Sequence, residues 1–330
     1  MKPVALVTGE VSSYRREPFR LLDEAEDIEV VAFKDVGERE PARRIAQGRY
    51  RAVIAGLGGR VALPTSYIAA RRAKVPFVLW ASIWAHPRTP AHALSYLPTR
   101  YLYKHADAVV TYGKHVSAYV GRFRDKNVFE APQAVSSELF GTIVEPERHD
   151  GFRLLFVGRL EREKGIEILV EAWRRAGLDE DARLVVAGTG PLRPQGRGIE
   201  LLGQVAREDL PALYASADAL VLPSIRTATF LEPWGLVVNE AMHQGTPVIA
   251  SDAVGAAAGG LVQDGRNGLI APANDAQALA SRIRALAVNR ELAEQLGRAA
   301  REDVQSFSER AWVEGMRQAL HAVGAGRVAE

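Results

Sequence analysis

The stretch Phe156-Val-Gly-Arg-Leu160, continued through Glu163-Lys-Gly165 into Ile166-Glu-Ile-Leu-Val-Glu-Ala-Trp173, predicts a buried strand, a tight turn and an amphipathic helix. Arg159 and Lys164 would lie at the carboxyl end of the strand, where open parallel sheets bind ligands. A guanidinium fork and a mobile ammonium suit a diphosphate leaving group. An Arg and Lys pair alone is typical of surface charge, so the interpretation depends on a second element.

That second element is Glu232-Pro-Trp-Gly-Leu-Val-Val-Asn-Glu240, in which two carboxylates lie on either side of a glycine that opens a helix. The helix starting after Gly235 leaves its first amides, at Leu236 and Val237, without intrahelical partners. These N–H groups and the positive end of the helix dipole favour an anion such as a diphosphate. An ordinary solvated helix start fits this stretch when it is taken alone. Together with the first stretch, it predicts a sugar-nucleotide site.

With both elements in view, the chain resembles the retaining family 4 glycosyltransferases, which have the two-domain GT-B fold. The family's V-G-R-L-x-x-x-K-G turn is matched from Val157 to Gly165, and its E-x(7)-E segment with an aromatic residue and a glycine is matched from Glu232 to Glu240. A small glycine-rich turn, Val185-Val-Ala-Gly-Thr-Gly-Pro191, and a late turn, Asp264-Gly-Arg-Asn-Gly268, fit as well. The resemblance covers roughly Phe152 to Pro272.

The resemblance implies transfer of a sugar from a nucleotide diphosphate to an acceptor hydroxyl with retention of the anomeric configuration. Glu232 would orient the donor sugar, and Glu240 would accept hydrogen bonds from the ribose. Arg159, Lys164 and the amides at the start of the helix would stabilise the departing diphosphate, so no metal or other cofactor is expected. The implied donor-binding residues are Gly158, Gly188, Val205, Trp234, Gly235, Leu236, Val237 and Glu240, with the nucleobase near Gly188 and Val205.

The amino-terminal part matches the family less well. Thr8-Gly9-Glu10 and the following Tyr14 and Arg15 look like the family's first loop, where Gly9 permits close backbone approach and the two side chains contact acceptor or phosphate. An equally good interpretation is that Tyr14 and Arg15 only cap and cover a helix. Many relatives carry a His directly after the strand that ends here at Trp80. This chain has Ala81-Ser-Ile-Trp-Ala-His86 instead, so either Ser82 or His86 takes that place, with Trp84 as a platform for a sugar ring or an acyl chain.

Short apolar runs alternate with amphipathic stretches along the chain, which is typical of parallel sheets covered by helices. The fold class is therefore α/β, with the GT-B architecture of two Rossmann-like, doubly wound parallel-sheet domains facing each other across a cleft. We expect an acceptor-binding domain over residues 1–147 and a donor-binding domain over 148–330, with the last helix, about 309–323, crossing back to the first domain. The predicted strands are Val4–Thr8, Ile28–Phe33, Ala52–Ala55, Phe77–Trp80, Ala108–Thr111, Val128–Glu130, Phe152–Val157, Arg183–Ala187, Ala219–Leu222 and Pro247–Ala250.

Composition and charge narrow the function classes. The 330 residues include no Cys, so disulfides, thiol catalysis and thiolate metal sites are excluded. We expect neither a signal peptide nor a membrane span, and a cytoplasmic protein. The net charge is +2, and the first 150 residues carry the positive excess. That tilt either brings the first domain to an anionic membrane surface, at the inner face of the membrane, or to an acidic acceptor, or it reflects a scattered solvated surface.

Several partners and rival functions stay open at this stage. The expected partners are a nucleotide sugar and an acceptor that is a sugar, a glycolipid or a small molecule; nucleic acid is not expected, since the basic residues match no known module. One alternative is a catalytically inactive sugar-nucleotide binding or scaffold protein, which the missing His supports. A glycoside hydrolase that uses the two carboxylates as acid and base is a weaker one. Asp179-Glu-Asp181 should lie at the amino end of a strand, away from any site, so no metal-binding residue is predicted.

Overall fold

The computed structural model describes residues 1–86, 89–147 and 149–327. The chain divides into two compact units. The first comprises Met1–Ala134 together with the chain from Ser308 onward, and the second comprises Val135–Phe307. None of the helices in the described residues is long and apolar enough to span a bilayer.

The first unit is built on a parallel sheet whose strands run in the order β2-β1-β3-β4-β5-β6 among the described residues. The strands are β1 (Val4–Thr8), β2 (Ile28–Ala32), β3 (Ala52–Gly56), β4 (Phe77–Ala81), β5 (Ala108–Thr111) and β6 (Val128–Glu130). The helices before the chain enters the second unit are α1 (Arg16–Glu26), α2 (Phe33–Val36), α3 (Glu40–Ala46), α4 (Ala62–Ala73), α5 (Pro90–His105) and α6 (Lys114–Val120). The central strands β1, β3 and β4 are buried except for the last residue of β1 and of β3, because helices cover both faces of the sheet.

The second unit repeats this plan with the strand order β12-β11-β10-β7-β8-β9 in the part that the structure describes. Its strands are β7 (Arg153–Val157), β8 (Arg183–Ala187), β9 (Ile199–Gly203), β10 (Ala219–Leu222), β11 (Val248–Ser251) and β12 (Gly268–Ala271). Its helices are α7 (Ser137–Phe140), α8 (Ile166–Ala176), α9 (Leu210–Ala215), α10 (Leu236–His243), α11 (Gly255–Ala258), α12 (Ala276–Val288) and α13 (Arg290–Val304). Helix α8 buries Ile166, Leu169 and Trp173 along one stripe, at the spacing expected for a helix on a sheet.

The last helix, α14 (Glu309–Ala322), belongs to the first unit. It packs against α1, β5 and β6. Trp312 and Met316 are buried there with Phe19 and Trp80, and the Trp312 and Trp80 rings meet edge to face at 5.5 Å. The chain therefore returns to its first sheet after completing the second.

Two parallel sheets with flanking helices confirm the predicted α/β class with two Rossmann-like units. The predicted strands are confirmed to within a residue or two at their ends, and Phe33 begins α2 rather than ending β2. The sequence did not indicate β9 or β12. The division between the units falls after Ala134, ahead of the predicted boundary at 147, because α7 and the following segment cluster with the second sheet.

Candidate functional site

The second unit gathers three loops at one edge of its sheet. Strand β7 lies between β10 and β8, and all three are parallel, so the loops that follow them leave from the same carboxyl edge. The loop after β7 carries Arg159 and Lys164, the loop after β8 carries Gly188, and the loop after β10 carries Glu232. The fold thus collects the predicted donor-side motifs at the edge where such sheets bind ligands.

Gly165 fixes how the β7 loop meets the β10 loop. Its φ is +76°, and a Cβ at this position would lie 2.0 Å from the carbonyl oxygen of Pro223, so no larger residue fits. The Ile225 N–H donates to the carbonyl of Glu163 at 3.0 Å and joins the two loops again. These contacts hold Lys164 beside the residues that follow β10.

Lys164 and Glu232 form an ion pair that is largely shielded from solvent. The Lys164 Nζ lies 2.5 Å from the Glu232 Oε2, and the side chains are 15% and 9% exposed. The Ser224 hydroxyl, itself fully buried, donates to the same carboxylate oxygen at 3.0 Å. The backbone of Glu232 is also held, since its N–H donates to Ala253 and its carbonyl accepts from Gly255. The carboxylate is therefore fixed in position and paired with a cation.

Helix α10 starts directly after this carboxylate, with Gly235 as its N-cap. The amides of Leu236 and Val237 are in its first turn, as predicted. The Trp234 side chain is buried, and its indole N–H donates to the Asn239 side chain at 2.7 Å. Trp234 therefore supports the start of the helix from inside the protein.

Glu240 lies one turn further along α10, and it accepts a hydrogen bond from the Tyr214 hydroxyl at 2.6 Å. Burial raises the pKa of the Glu240 carboxyl, while the Tyr214 hydroxyl and the charge of Arg207 act in the opposite direction. Burial and the Glu240 charge raise the pKa of Tyr214 well above its usual value. Tyr214 was not predicted from the sequence. The available signal was a tyrosine on a short apolar helix just before a buried strand, because a buried hydroxyl needs a partner.

The loops expected to flank the nucleobase are also close together. A Cβ on Gly188 would lie 1.8 Å from the carbonyl oxygen of Gly158, so the β8 loop packs directly on the β7 loop. The Gly188 N–H donates to the carbonyl of Gly203, at the end of β9, and Val205 follows two residues later. The loops that carry Gly158 and Gly188 are therefore in direct contact, and β9 is hydrogen-bonded to the second of them just before Val205.

Arg159 was expected to face a ligand anion, but its guanidinium pairs with carboxylates of its own loop. Its guanidinium is exposed and bonds to Glu161 within the same loop, at 2.6 Å, with Glu163 at 3.7 Å. The described contacts do not bring Arg159 to Glu232. A ligand phosphate would have to compete with these two carboxylates for the guanidinium.

In the first unit, the predicted Arg15 is buried at the end of a short 3₁₀ turn, Ser13–Arg15. Its guanidinium lies 4.0 Å from the centre of the Trp80 ring, and it donates to the Tyr112 hydroxyl at 2.7 Å and to the Gln133 side chain at 3.3 Å. Arg15 is also the N-cap residue of α1, and its side chain is packed inside the first unit rather than spread over the outside of the helix. Tyr112 and Gln133 were missed; each follows a strand of the first sheet, which was the available signal.

The remaining first-unit candidates lie at the ends of strands β1 and β4. Gly9 follows β1, and its carbonyl accepts from the Lys34 N–H. Ser82 follows β4 directly, and the Trp84 ring meets His115 edge to face at 5.2 Å. The His86 ring meets the Tyr96 ring edge to face at 5.1 Å, and the His86 Nε2 is 3.4 Å from the Ser95 hydroxyl. Tyr14 lies beside Arg15, 5.0 Å from its guanidinium.

The acidic triplet from Asp179 to Asp181 lies immediately before β8, at the amino edge of the second sheet, as expected. Within the residues that the structure describes, no group of three or more His, Asp or Glu side chains is placed to hold a metal ion.

Comparison with known proteins gives this geometry a context. Residues 143–303 match the family model of glycosyl transferases group 1. The group 1 segment runs through the second unit and contains both Lys164 and Glu232, the two side chains that the fold brings together. The match thus rests on the unit that carries the donor-side motifs and supports a group 1 glycosyltransferase with a GT-B fold.

Individual relatives agree with the group 1 match. The chain is 39% identical over 112 residues to the uncharacterized glycosyltransferase MJ1607 of Methanocaldococcus jannaschii, covering 31% of this chain and 27% of that protein. It is 37% identical over 168 residues to the phosphatidyl-myo-inositol mannosyltransferase of Mycobacterium leprae, covering 48% and 43%. The chain spans between 27% and 62% of the length of the curated relatives that it matches best. The names of these relatives support a transferase.

Solved structures agree over nearly the whole chain. Sucrose-phosphate synthase from Thermosynechococcus elongatus has a TM-score of 0.77 at 20% identity, covering 98% of this chain and all of that one. The Anabaena protein Alr3699/HepE in complex with UDP-glucose has a TM-score of 0.72 at 18% identity over the same 98% and 100%. At these identities the likeness shows the fold.

Proposed function

We propose that this protein is a retaining glycosyltransferase of family 4 type that moves a sugar from a nucleotide diphosphate sugar to an acceptor hydroxyl. The contact between Lys164 and Glu232 carries the proposal, because it joins a phosphate-directed cation to a sugar-directed carboxylate at the start of a helix. The solved structures with the same fold include one in complex with UDP-glucose, which supports a nucleotide sugar as the donor.

The proposed chemistry is preorganised charge stabilisation. As the bond to the sugar breaks, negative charge grows on the departing diphosphate. Lys164 and the amides of Leu236 and Val237 would stabilise that charge by donating hydrogen bonds to it. Removing one such donor typically lowers the rate about 10²–10³-fold. Arg159 would join them after exchanging Glu161 and Glu163 for phosphate oxygens.

Glu232 is proposed to bind the donor sugar. The contacts with Lys164 and Ser224 fix its carboxylate in position, so that it can accept hydrogen bonds from hydroxyls of the donor sugar. Further along α10, Glu240 would accept from the ribose hydroxyls, with Tyr214 holding its carboxylate in place. Gly158, Gly188 and Val205 would contact the nucleoside.

No metal is needed in this proposal. Two cationic side chains and a helix N-terminus offset the charge of a diphosphate at the proposed site. We expect turnover to be the same after treatment with a chelator such as EDTA.

Acceptor binding is proposed for the first unit. Arg15, held on the face of Trp80, offers a fixed cation to an acidic or hydroxyl-rich acceptor, while Gly9 and Tyr14 flank it. Ser82 and His86 follow β4 and are candidates for the place of the family's His, with Trp84 between them as an aromatic platform. We propose an acceptor that is a sugar, a glycolipid or a small molecule of bacterial glycan, glycolipid or secondary-metabolite biosynthesis.

The proposal is tested by product analysis. The protein is incubated with UDP-, GDP-, ADP- and dTDP-sugars, with and without a panel of acceptors, and release of nucleotide and the configuration of the product are followed by NMR. Donor-dependent transfer or slow donor hydrolysis with retained configuration, lost in Glu232→Ala, supports a retaining transferase. An inverted product contradicts the retaining mechanism. Cleavage of glycosides without a nucleotide supports a hydrolase instead.

A second candidate is a sugar-nucleotide binding protein without activity. One observation favours it: Ser82, rather than a His, follows β4. Tight nucleotide binding without any turnover of a matching donor sugar would support this function.

A further inference from the structure

Helix α5 presents a strip of large apolar side chains to solvent. Leu94 is 83% exposed, Leu97 is 68% exposed and Tyr101 is 51% exposed. Spacings of three and four residues place all three side chains on one face of the helix. Contiguous exposed apolar surface on a folded protein marks an interaction site more often than scattered single residues do. We call these three residues the α5 strip.

The strip continues onto the neighbouring helix α4. The Tyr101 ring meets Tyr67 edge to face at 6.0 Å, and Ile68, the next residue of α4, is 47% exposed. Tyr67 also packs on Phe77 of β4, which ties this surface to the core of the first unit. The contact between Tyr67 and Tyr101 therefore joins α4 to the α5 strip.

Positive charge accompanies the strip. Arg100 and Lys104 are exposed on α5 and, at helical spacing, border the strip on the side of Leu97. Arg72 and Lys74 are exposed at the end of α4.

The sequence around these helices lacks negative charge altogether. From residue 41 to residue 106 the chain has 11 Lys and Arg residues and neither Asp nor Glu. The nearest carboxylate on the carboxyl side is Asp107, which is held by Arg71 at 2.8 Å. The surface is both apolar and cationic.

We propose that the α5 strip and its basic border dock on the surface of an anionic lipid bilayer. Apolar side chains on a cationic helix insert at the boundary between headgroups and acyl chains. The stems of Lys and Arg can lie along the same apolar surface while their charges reach lipid phosphates. Each basic residue near such a surface strengthens binding about fivefold.

Charge argues against the other occupants of this surface. A second copy of the chain would bring the same cationic border against itself across a two-fold interface, which is unfavourable. Nucleic acid would use the basic residues and leave exposed leucines without a role, since aromatic rather than aliphatic side chains stack on bases. A lipid bilayer satisfies both the apolar and the cationic parts.

The docking surface lies outside the residues proposed for donor and acceptor binding, so the inference goes beyond the proposed function and does not rest on it. Its test uses lipid vesicles and no sugar nucleotide. Failure of one proposal therefore leaves the other unchanged.

The test is sedimentation of the full chain with two kinds of vesicle. One kind is phosphatidylcholine alone. The other contains about 30% phosphatidylglycerol, an anionic lipid that gives the vesicle a negative surface potential. We expect binding to the anionic vesicles and release by high salt. Leu97→Ser with Tyr101→Ser should weaken binding about tenfold or more, because it removes inserted apolar area. Arg100→Glu with Lys104→Glu should weaken it at least 25-fold, at about fivefold for each basic charge lost.

Matched substitutions on the second unit serve as controls. Val288→Ser removes an exposed apolar side chain, and Arg298→Glu reverses an exposed charge, both far in sequence from α5. Each should bind vesicles like the unchanged protein, and circular dichroism confirms folding of all variants. The proposal is overturned if the protein ignores anionic vesicles, or if the serine pair binds as well as the controls. It is also overturned if the α5 substitutions abolish a dimer seen without lipid, or if they reduce binding to an oligonucleotide and leave vesicle binding intact.

Discussion

Lys164 and Glu232 depend on each other for stability as well as for the proposed chemistry. Both side chains are mostly removed from solvent, so taking away one partner leaves an uncompensated charge. We predict that Lys164→Met lowers the free energy of unfolding by about 3 kcal/mol or more. Urea denaturation followed by circular dichroism measures this change.

The matched control is the double variant Lys164→Met with Glu232→Gln. It removes both charges and should recover most of the lost stability, while donor turnover stays absent. A double variant as unstable as the single one would show that the pair is not the reason for the loss.

Glu240 should make nucleotide binding sensitive to mildly acidic pH. Its pKa is raised by burial above the usual 4.5, and the ionised carboxylate is a stronger acceptor for ribose hydroxyls than the protonated acid, which carries an O–H donor of its own. Binding of UDP should therefore weaken as the pH falls through this raised pKa. Tyr214→Phe removes a donor that favours the charged form, so the weakening should begin at a higher pH.

Calorimetric titration with UDP at a series of pH values from about 5 to about 8 checks this prediction, because a raised carboxyl pKa would change the affinity within that range. Tyr103→Phe is the matched control, because Tyr103 is also buried but lies in the first unit. Superimposable pH profiles for Tyr214→Phe and the unchanged protein would contradict the role assigned to Glu240.

At the scale of elements, the loop after β7 is held against the exit of β10 by one close contact at Gly165. We predict that Gly165→Ala weakens nucleotide binding more than tenfold, since a Cβ 2.0 Å from the Pro223 carbonyl must push Lys164 away from Glu232. Gly177→Ala is the control: Gly177 also has a positive φ, of +59°, but the nearest atom to its Cβ would be 3.8 Å away. It should lose about 1 kcal/mol of stability through backbone strain and keep nucleotide affinity.

The central strands β1, β7 and β10 share a property that explains why they could be predicted from the sequence. They are largely buried apolar runs, bounded by polar residues and turns. Strand β9 was missed because it is an edge strand whose leucines, Leu201 and Leu202, face solvent. Strand β12 was missed because its start at Gly268 coincides with the turn motif that ends there.

Some residues of the candidate site could likewise be predicted from the sequence, and others could not. Lys164, Glu232 and the start of α10 were predictable, because loops at the carboxyl edge of a parallel sheet must converge. The pairing of Arg159 with Glu161 was not, because surface side chains choose among several nearby partners. Tyr214 and Gln133 were missed because their partners are distant in sequence.

At the scale of the whole molecule, the chain leaves its first sheet, builds a second and returns with α14. The return is anchored by Glu26, which is fully buried at the end of α1 and accepts from Arg51 at 3.0 Å and from Arg317 of α14 at 3.2 Å. The Arg327 N–H donates to the same carboxylate at 2.7 Å. Three chain segments thus meet at one buried carboxylate.

We predict that Glu26→Gln costs about 3 kcal/mol or more, since it leaves the largely buried Arg51 guanidinium without a counter-charge. Glu314→Gln is the control, because Glu314 pairs with the same Arg317 at the surface and should change stability by less than about 0.5 kcal/mol. Urea unfolding monitored by Trp fluorescence reports on the first unit through Trp80 and Trp312. Equal stabilities of the two variants would contradict the anchoring role of Glu26.

The diphosphate site is tested by calorimetric titration of the protein with UDP, GDP, ADP and dTDP, beside the variants Arg159→Ala and Lys164→Ala. We predict micromolar binding of one of these nucleotides, weakened by both substitutions in variants shown to be folded. Absence of nucleotide binding by the folded protein, or binding that is indifferent to both residues, would contradict a diphosphate site at the start of α10.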